Sequence, residues 1–164
     1  MEIYPSQQVQ LAKKCTHGDL LKVSFFNEEA VAIVAQNADG AKELILLNGS
    51  PFGEAFSLLP VSDDLEVRNF GSNWRLLPDE NASVKFNEGL NKSGTVFVTA
   101  AGIYLSGRET QGFRDVKYCR LDDVGIFGFS AFPGRKGSAF TSWKIEIIDQ
   151  ELKVSETFFS HCGE

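Results

Sequence analysis

The sequence contains little histidine and little cysteine. Its two histidines lie near opposite ends of the chain, and its three cysteines follow no metal-binding spacing. The His-x-His cluster of cupin-type metal barrels and the His-Glu-x-x-His helix of zinc peptidases are both missing. Cys15-x-His17 and His161-Cys162 have the ligand types of a zinc site that clips the chain ends together, but this spacing matches no common zinc module. We therefore predict no metal and no other cofactor.

Long hydrophobic runs are missing too. The longest clean aliphatic runs, residues 31–35 and 44–47, are far shorter than the roughly 20 residues that a membrane-spanning helix needs. The first five residues lack the basic start and the apolar stretch of a secretory leader. A small, odd number of cysteines is typical of reduced thiols. These features predict a cytoplasmic protein without a membrane segment.

Positive charge is also in short supply. Sixteen Lys and Arg residues stand against 22 Asp and Glu residues, a formal net charge of −6. Proteins that bind nucleic acids or anionic membranes usually present a basic surface. The charge balance therefore argues against both of these partners, and it fits a basic protein partner.

One aromatic motif resembles part of a nucleic-acid-binding family. Phe-Gly-Phe-Ser-Ala-Phe at residues 127–132 is similar to the core of the first ribonucleoprotein motif of RNA-recognition domains, and Val-Phe-Val at 96–98 is similar to the start of the second. In that family such Phe rings stack on bases. This chain departs at residues 125–126, where Gly-Ile replaces the basic residue plus Gly, and between 101 and 124, where a hairpin-like segment replaces a helix. We expect no nucleic-acid partner and assign most Phe residues to the core.

What the sequence does contain is a succession of short β-rich runs. From residue 20 onward, eleven such runs are bounded by Gly, Pro, Asn or Asp, and apolar–polar alternation is clearest at residues 143–147. Residues 39–40 (Asp-Gly) and 48–49 (Asn-Gly) are typical of tight turns. Residues 6–15 are the one good helix candidate. We predict an all-β protein, an antiparallel sandwich or barrel of about eleven short strands with one short N-terminal helix.

The turn signals leave room for a repeat, although evenly spaced hairpins also produce such echoes by chance. Three turn residues of the first half have counterparts in the second half at similar spacing, namely Gly18, Gly40 and Pro60 with Gly94, Gly112 and Pro133. We predict an N-terminal helical segment over residues 1–17 and a single β domain over residues 18–164. Two similar β-meander halves, 18–70 and 94–160, would be joined by the Gly-, Ser- and Asn-rich residues 71–93.

No arrangement of nucleophile and base is recognisable. The sequence has no Gly-x-Ser-x-Gly elbow, Cys119 falls inside a β-rich run as a small core residue would, and Cys162 lies close to a chain end, where chains often fray. The acid pairs at 63–64 and 122–123 lie in turn contexts that favour Asp for local hydrogen bonds. The loop 134–138 fails the phosphate-binding pattern because its Lys precedes a Gly. We predict that the protein is not an enzyme.

A group of cations stands out from the acidic background. Between residues 108 and 136, six Lys and Arg residues accompany four acidic residues. Tyr and Arg side chains that are exposed together dominate the binding energy of many interfaces. The residues predicted to form a recognition surface are Tyr104, Arg108, Arg114, Tyr118, Arg120, Arg135 and Lys136.

By elimination, the sequence predicts a non-catalytic binding or interaction module that recognises a protein partner, with a basic partner fitting the charge. Open sheet edges also predict self-association, most simply as a homodimer. The alternative is a small β-barrel that binds a small molecule, or an enzyme with a carboxylate pair in a Phe-lined pocket. An enclosed apolar cavity of at least about 300 Å³ with converging polar groups would favour the alternative. A filled core with an exposed Tyr–Arg patch would favour the interaction module.

Overall fold

Strand-forming residues dominate the chain, and the computed structural model consists mostly of extended segments. The structure describes residues 8–25, 27–37, 39–49, 54–110, 115–121, 126–128, 136–149 and 154–163. β-Branched and aromatic side chains fit pleated, half-buried surfaces, and Gly, Asn and Asp supply the turns between them. The all-β prediction is confirmed. Within the described ranges, no helix has the length and apolar character needed to cross a membrane.

Fifteen strands and three short helical pieces make up the described part of the chain. The strands are β1 (Gln8–Leu11), β2 (Leu20–Phe25), β3 (Glu28–Gln36), β4 (Lys42–Leu46), β5 (Ser57–Pro60), β6 (Glu66–Asn69), β7 (Trp74–Pro78), β8 (Ser83–Val84), β9 (Val96–Thr99), β10 (Gly102–Glu109), β11 (Val116–Arg120), β12 (Ile126–Gly128), β13 (Gly137–Phe140), β14 (Ser142–Asp149) and β15 (Val154–Cys162). The helical pieces are two 3₁₀ turns, Ala12–Lys14 and Glu80–Ala82, and one α-helical turn, α1 (Phe86–Gly89). Each of the eleven predicted runs overlaps a strand, and the run over residues 140–148 covers most of β14 and only the last residue of β13. Strands β1, β7 and β8 are additional.

The N-terminal helix predicted over residues 6–15 is wrong for the described part of that segment. Gln8–Leu11 form strand β1, which pairs antiparallel with β6, and only Ala12–Lys14 form a single 3₁₀ turn. A helix here would have had a thin apolar stripe, so pairing with β6 and the burial of Ala12 outweigh a weak helical preference. Residues 6 and 7 lie outside the described part.

The large sheet contains the same strand arrangement twice. The order is β1-β6-β2-β3-β4-β5 in the first half and β8-β13-β9-β10-β11-β12 in the second, and all neighbours within each half are antiparallel. The halves join where β5 runs parallel to β10. Among the described strands the sheet does not close into a barrel, since β1 and β8 remain at the two ends of the order. We call β1–β7 unit 1 and β8–β14 unit 2; β15 follows unit 2.

The correspondence between the units extends to individual hydrogen bonds. In unit 1 the indole Nε1 of Trp74 donates to the carbonyl oxygen of Gly18 at 2.7 Å, and in unit 2 Nε1 of Trp143 donates to that of Gly94 at 2.7 Å. Both glycines have positive φ, 83° and 78°, which side chains larger than Gly rarely adopt. The same turn is therefore built just before β2 and just before β9.

A second, small sheet joins the last strands of the two units. Its order is β15-β14-β7, with all strands antiparallel. On the β7–β14 ladder, Trp143 pairs with Pro78 and Trp74 pairs with Ile147. Trp74 of unit 1 corresponds to Trp143 of unit 2, and Pro78 corresponds to Ile147, so each pair is the other with the units interchanged. The two strands therefore pair as equivalent strands do across the axis of a two-fold dimer.

Three apolar clusters fill the interior. The shared cluster contains residues of both units. Among them are Leu20, Ile33, Ile45, Val96, Leu105, Trp143 and Ile145. A second cluster belongs to unit 1 and includes Leu21 and Leu44, while a third belongs to unit 2 and includes Phe97 and Tyr118. Strands such as β3 are buried on both faces, which explains their continuous apolar sequence. The shared cluster makes the core of each unit depend on the other.

Candidate functional site

The two tyrosines of the predicted recognition surface lie inside the protein. Tyr104 and Tyr118 are both 0% exposed and belong to the apolar cluster of unit 2. Tyr118 Oη donates to the carbonyl oxygen of Leu90 at 2.8 Å, and burial raises the pKa of Tyr118 to about 12. Strand pairing places the two tyrosines where unit 1 has the core residues Ala32 and Leu44. The prediction that these rings anchor a partner is therefore wrong, because they have no access to one.

Within the described part of the chain, the predicted cations are not accompanied by a fully exposed aromatic side chain. Arg108 is exposed, and its Nη2 donates to the carbonyl oxygen of Asn91 at 3.1 Å. Arg120 is half-buried near the other end of the same β10–β11 ladder, and Lys136 is exposed just before β13. No aromatic ring is among the exposed large apolar side chains of the described residues. Two further predicted residues, Arg114 and Arg135, lie outside the described part.

The residues considered for metal binding and catalysis do not converge. Cys15 is buried in the cluster of unit 1, whereas His161 lies at the end of β15 in the other sheet. Within the described ranges, no three His, Cys, Asp or Glu residues lie together in a way that could hold a metal ion. Cys119 is buried in the shared cluster, so its predicted core position is confirmed. The acid pair at 63–64 is exposed in a turn, and the pair at 122–123 lies outside the described part.

A cleft with two pockets surrounds the end of β15. The inner pocket, of about 250 Å³, is lined by Lys92, Ser93, Gly94, Thr95, Thr141, His161, Cys162 and Gly163. The outer pocket, of about 350 Å³, is lined by the ends of the three strands of the small sheet, residues 77–79, 142–144 and 160–162. His161 and Cys162 line both pockets, so the end of β15 forms the wall between them. Both pockets open to solvent, and neither is the enclosed cavity that would favour a small β-barrel binder.

Consecutive residues of β15 serve the two sides of this wall. His161 pairs with Trp143 and faces inward, with its ring centroid 5.5 Å from that of Trp143 and 4.7 Å from that of Phe56. Cys162 pairs with Ser142 and is exposed. This alternation is the ordinary geometry of a strand, and it gives the cleft two chemically different sides.

A β-bulge anchors β15 to the core. The register shifts between Ile145 and Glu146 of β14, and the consecutive residues Phe158 and Phe159 both pack against the shared cluster. Phe158 lies edge-on to Phe70, with centroids 4.6 Å apart. The anchored strand is at the margin of the small sheet, and its outer edge pairs with no other described strand.

Alternate residues of β15 direct their backbone groups to that free edge. The amide N–H of Asp79 donates to the carbonyl oxygen of Ser142 at 2.9 Å, so Ser142 bonds to β7. In an antiparallel ladder the bonding direction alternates along a strand, so the next residue of β14 bonds to its partner His161. Ser160 and Cys162, on either side of His161, therefore point their N–H and C=O groups outward.

Two hydroxyl groups of the inner pocket have no hydrogen-bond partner in the described part of the protein. They are Ser93 Oγ and Thr95 Oγ1, and both atoms are buried. Thr95 is 1% exposed, while its backbone N–H donates to Ser106 Oγ at 2.9 Å. An unpaired buried hydroxyl costs about 1–3 kcal/mol, so such a group beside an open pocket favours a hydrogen-bonding partner there, either water or a ligand. The third such atom, Nε2 of His17, lies at the corresponding turn of unit 1.

In unit 1, the polar side chain that corresponds to Thr95 has hydrogen-bond partners. That side chain is Asp19, since each residue directly follows the positive-φ glycine of its unit. Asp19 Oδ2 accepts hydrogen bonds from the backbone N–H of Thr16 at 2.8 Å and from Asn69 Nδ2 at 2.7 Å. The pairing of β6 with β2 and of β13 with β9 places Ala139 where unit 1 has Asn69. Unit 2 thus lacks both the carboxylate and its amide donor.

Burial lowers the pKa of His161 from its usual 6.5. The cause is the loss of hydration where the ring packs among aromatic side chains. At neutral pH the imidazole is therefore uncharged, with one nitrogen able to donate and the other able to accept a hydrogen bond.

Sequence reasoning missed most of the residues of this cleft. Cys162 was expected to lie in a fraying end, but it ends a nine-residue strand that is paired to β14. The inner pocket combines a turn, a strand end and the last residues of β15, which no local pattern brings together. One signal was available: the chain has two tryptophans, and each binds the turn glycine of its own unit.

No family model, curated protein or solved structure matches this chain. What the cleft does must therefore be inferred from its own geometry.

Proposed function

We propose that the protein is a non-catalytic binding module that recognises an extended segment of a protein partner along the free edge of β15. The observation that carries the proposal is the position of the two pockets, which flank the end of β15, a strand whose outer edge pairs with no other described strand. We further propose a cytoplasmic location, which is supported by the three cysteines, all of them free.

Strand addition uses the backbone groups that β15 leaves unpaired. A segment lying along the edge forms main-chain hydrogen bonds with Ser160 and Cys162, whose N–H and C=O groups point outward. Successive side chains of the added segment point to opposite faces of the sheet. One side chain can therefore enter the inner pocket while its neighbour enters the outer pocket. Main-chain bonds supply affinity for any sequence, and the pockets supply specificity.

The outer pocket favours a side chain with an apolar stem and a positive end. Leu77 and Pro78 provide apolar surface, and Asp79 is exposed at the margin of the pocket. Lys144, the cation of this pocket, is already paired with Glu146 at 2.7 Å. Together with the net charge of −6, this arrangement supports a partner whose segment carries Lys or Arg.

The catalytic alternative has less support. A carboxylate pair needs two acids that face each other, whereas Asp79 is the single acid among the described residues that line the two pockets. The described phenylalanines of the shared cluster pack against one another or against neighbouring core side chains and line neither of these two pockets.

The test begins with linear peptides selected from a random library on the full chain, whose affinities are measured by calorimetry. Ser160→Pro removes an outward N–H of β15 and leaves the hydrogen bonds to β14 in place, so it should weaken the selected peptides about tenfold or more. Val9→Pro is the matched control, because Val9 is 71% exposed on the free edge of β1. It should leave affinity unchanged.

Three results would count against the proposal. They are a library that yields no binder, selected peptides that bind wild type and Ser160→Pro equally, and a loss of affinity in Val9→Pro as large as that in Ser160→Pro. The predicted homodimer is tested by light scattering. If the protein is a dimer and Ser160→Pro converts it to a monomer, the edge of β15 serves self-association.

A further inference from the structure

Among the described residues that line the inner pocket, none carries an acidic side chain. Lys92 is the one of them that is charged at neutral pH, since burial keeps His161 neutral, and the others supply hydroxyl groups, a thiol and two glycines. The chain as a whole carries a formal charge of −6. A negatively charged group therefore meets less repulsion in this pocket than an average position on the protein offers.

The unpaired groups of the pocket are hydrogen-bond donors that need an acceptor. Ser93 Oγ and Thr95 Oγ1 are buried without a partner in the described part of the chain, and each hydroxyl carries one donor proton. An ionised carboxylate offers two oxygens that accept only, so one carboxylate can satisfy both hydroxyls. Hydrogen bonds to a charged acceptor are also stronger than those to a neutral one.

Unit 1 provides an internal example of the same arrangement. At the position of Thr95 it carries Asp19, whose carboxylate is 7% exposed and accepts hydrogen bonds from Thr16 and Asn69. This turn therefore holds a buried carboxylate in unit 1. In unit 2 a hydroxyl replaces the carboxylate, and Thr95, which carries it, belongs to the lining of the inner pocket.

We propose that the inner pocket binds a carboxylate group, beside the turn whose counterpart in unit 1 carries the Asp19 carboxylate. Ser93 and Thr95 donate to its oxygens, and Lys92 supplies the opposite charge. Two sources provide this chemistry: a small free carboxylic acid, or the carboxylate of a protein segment. Carboxylate binding in the inner pocket does not require strand addition to β15. A negative result for one of these two proposals therefore leaves the other standing.

The first test is an NMR titration with acetate and succinate, with acetamide and succinamide as uncharged controls at equal ionic strength. The carboxylates should shift the backbone amide signals of Thr95 and Gly163 saturably, and the amides should not. Ser93→Ala and Thr95→Val should each weaken succinate binding about tenfold. Thr157→Val, at an exposed position of β15 away from the cleft, is the matched control and should change nothing. Equal shifts with acids and amides, or no saturable shift, would overturn the proposal.

A second measurement needs no ligand. Thr95→Val replaces an unpaired buried hydroxyl with a methyl group of the same shape, so it should raise the Tm of the free protein by roughly 2–4 °C. A lower Tm would mean that the hydroxyl already has a structural partner, which would contradict the proposed site.

Two peptide arms identify the source of the carboxylate. Trialanine with a free C-terminus is compared with its C-terminal amide and with succinate. Tighter binding of the free peptide than of succinate assigns the site to a chain terminus, and the reverse assigns it to a small acid. Binding of the amidated peptide as tightly as the free peptide would overturn the carboxylate assignment.

Discussion

Leu76 and Ile145 lie directly opposite each other at the middle of the β7–β14 ladder, and they occupy the same position in the two units. The pairs on either side of them exchange equivalent residues, so a local two-fold axis passes between these side chains. Unit 1 is therefore an internal reference for unit 2. The turns before β2 and β9 share a positive-φ glycine and differ in their side chains, and the inner pocket lies beside the second turn.

Gly94→Ala should damage the protein much more than Gly71→Ala. Both residues have positive φ, 78° and 76°, so a side chain strains both backbones. A Cβ atom at Gly94 would also lie 2.3 Å from Cε2 of Phe56, whereas at Gly71 it would meet nothing within 4 Å. We expect urea unfolding to show a loss of about 1 kcal/mol for Gly71→Ala and about 3 kcal/mol or more for Gly94→Ala. Equal losses would contradict the packing of Phe56 against this turn.

Trp143→Phe should cost more stability than Trp74→Phe. Each change removes the indole N–H that donates to a turn glycine. Trp143 is 2% exposed, so its loss leaves the carbonyl oxygen of Gly94 without a donor in the core, whereas water can reach the half-buried site of Trp74. We expect losses in the free energy of unfolding of about 3 and about 1 kcal/mol, respectively. A larger loss of unfolding free energy for Trp74→Phe than for Trp143→Phe would contradict the prediction that the more deeply buried bond contributes more.

Arg75→Met should destabilise the small sheet. Glu146 is 7% exposed and accepts hydrogen bonds from Arg75 Nη2 at 2.8 Å and Nε at 3.1 Å. Removing Arg75 leaves that carboxylate with a weaker set of partners, and we expect a loss of about 2 kcal/mol in denaturant unfolding. Lys85→Met is the control, because Lys85 pairs with Glu88 on the surface at 3.8 Å and should contribute less than about 0.5 kcal/mol. Similar losses for the two variants would mean that the buried carboxylate does not depend on Arg75.

The stability of the fold should decrease as the pH falls below about 6.5. Burial lowers the pKa of His161 in the folded protein, so the unfolded chain binds a proton first. The free energy of unfolding is highest at pH values above the pKa of His161 in the unfolded chain. It decreases as the pH falls from that pKa toward the lower pKa of the folded protein, and below the lower pKa His161 causes no further change. His161→Phe should flatten this part of the profile, as followed by thermal unfolding at pH 5 and pH 7.5. An unchanged pH dependence in that variant would contradict the burial of the ring.

The sequence predicted the strands that have their own apolar pattern, and it missed those that depend on distant partners. Each predicted run overlaps a strand. Strands β1, β7 and β8 and all but the last residue of β13 were missed; these four strands are two to five residues long and form because another strand lies beside them. The region 71–93 is typical of a linker by composition, yet it contains β7 and β8.

The site was harder to predict for a different reason. A tyrosine in a strand can be a core residue or a surface anchor, and local sequence does not decide between them. Only the pairing that aligns Tyr104 with Ala32 of unit 1 shows that it belongs to the core. The cleft likewise depends on a β-bulge and on a strand edge, both of which are set by long-range pairing.

Hydrogen exchange of individual backbone amides, in the free protein and with a selected peptide bound, tests recognition along β15 most directly. We expect the amide of Ser160 to exchange at least about tenfold more slowly in the complex, while the amide of Val9, on edge strand β1 of the large sheet, keeps its rate. Unchanged exchange at Ser160, together with protection at another strand edge, would contradict the proposal that β15 receives the partner.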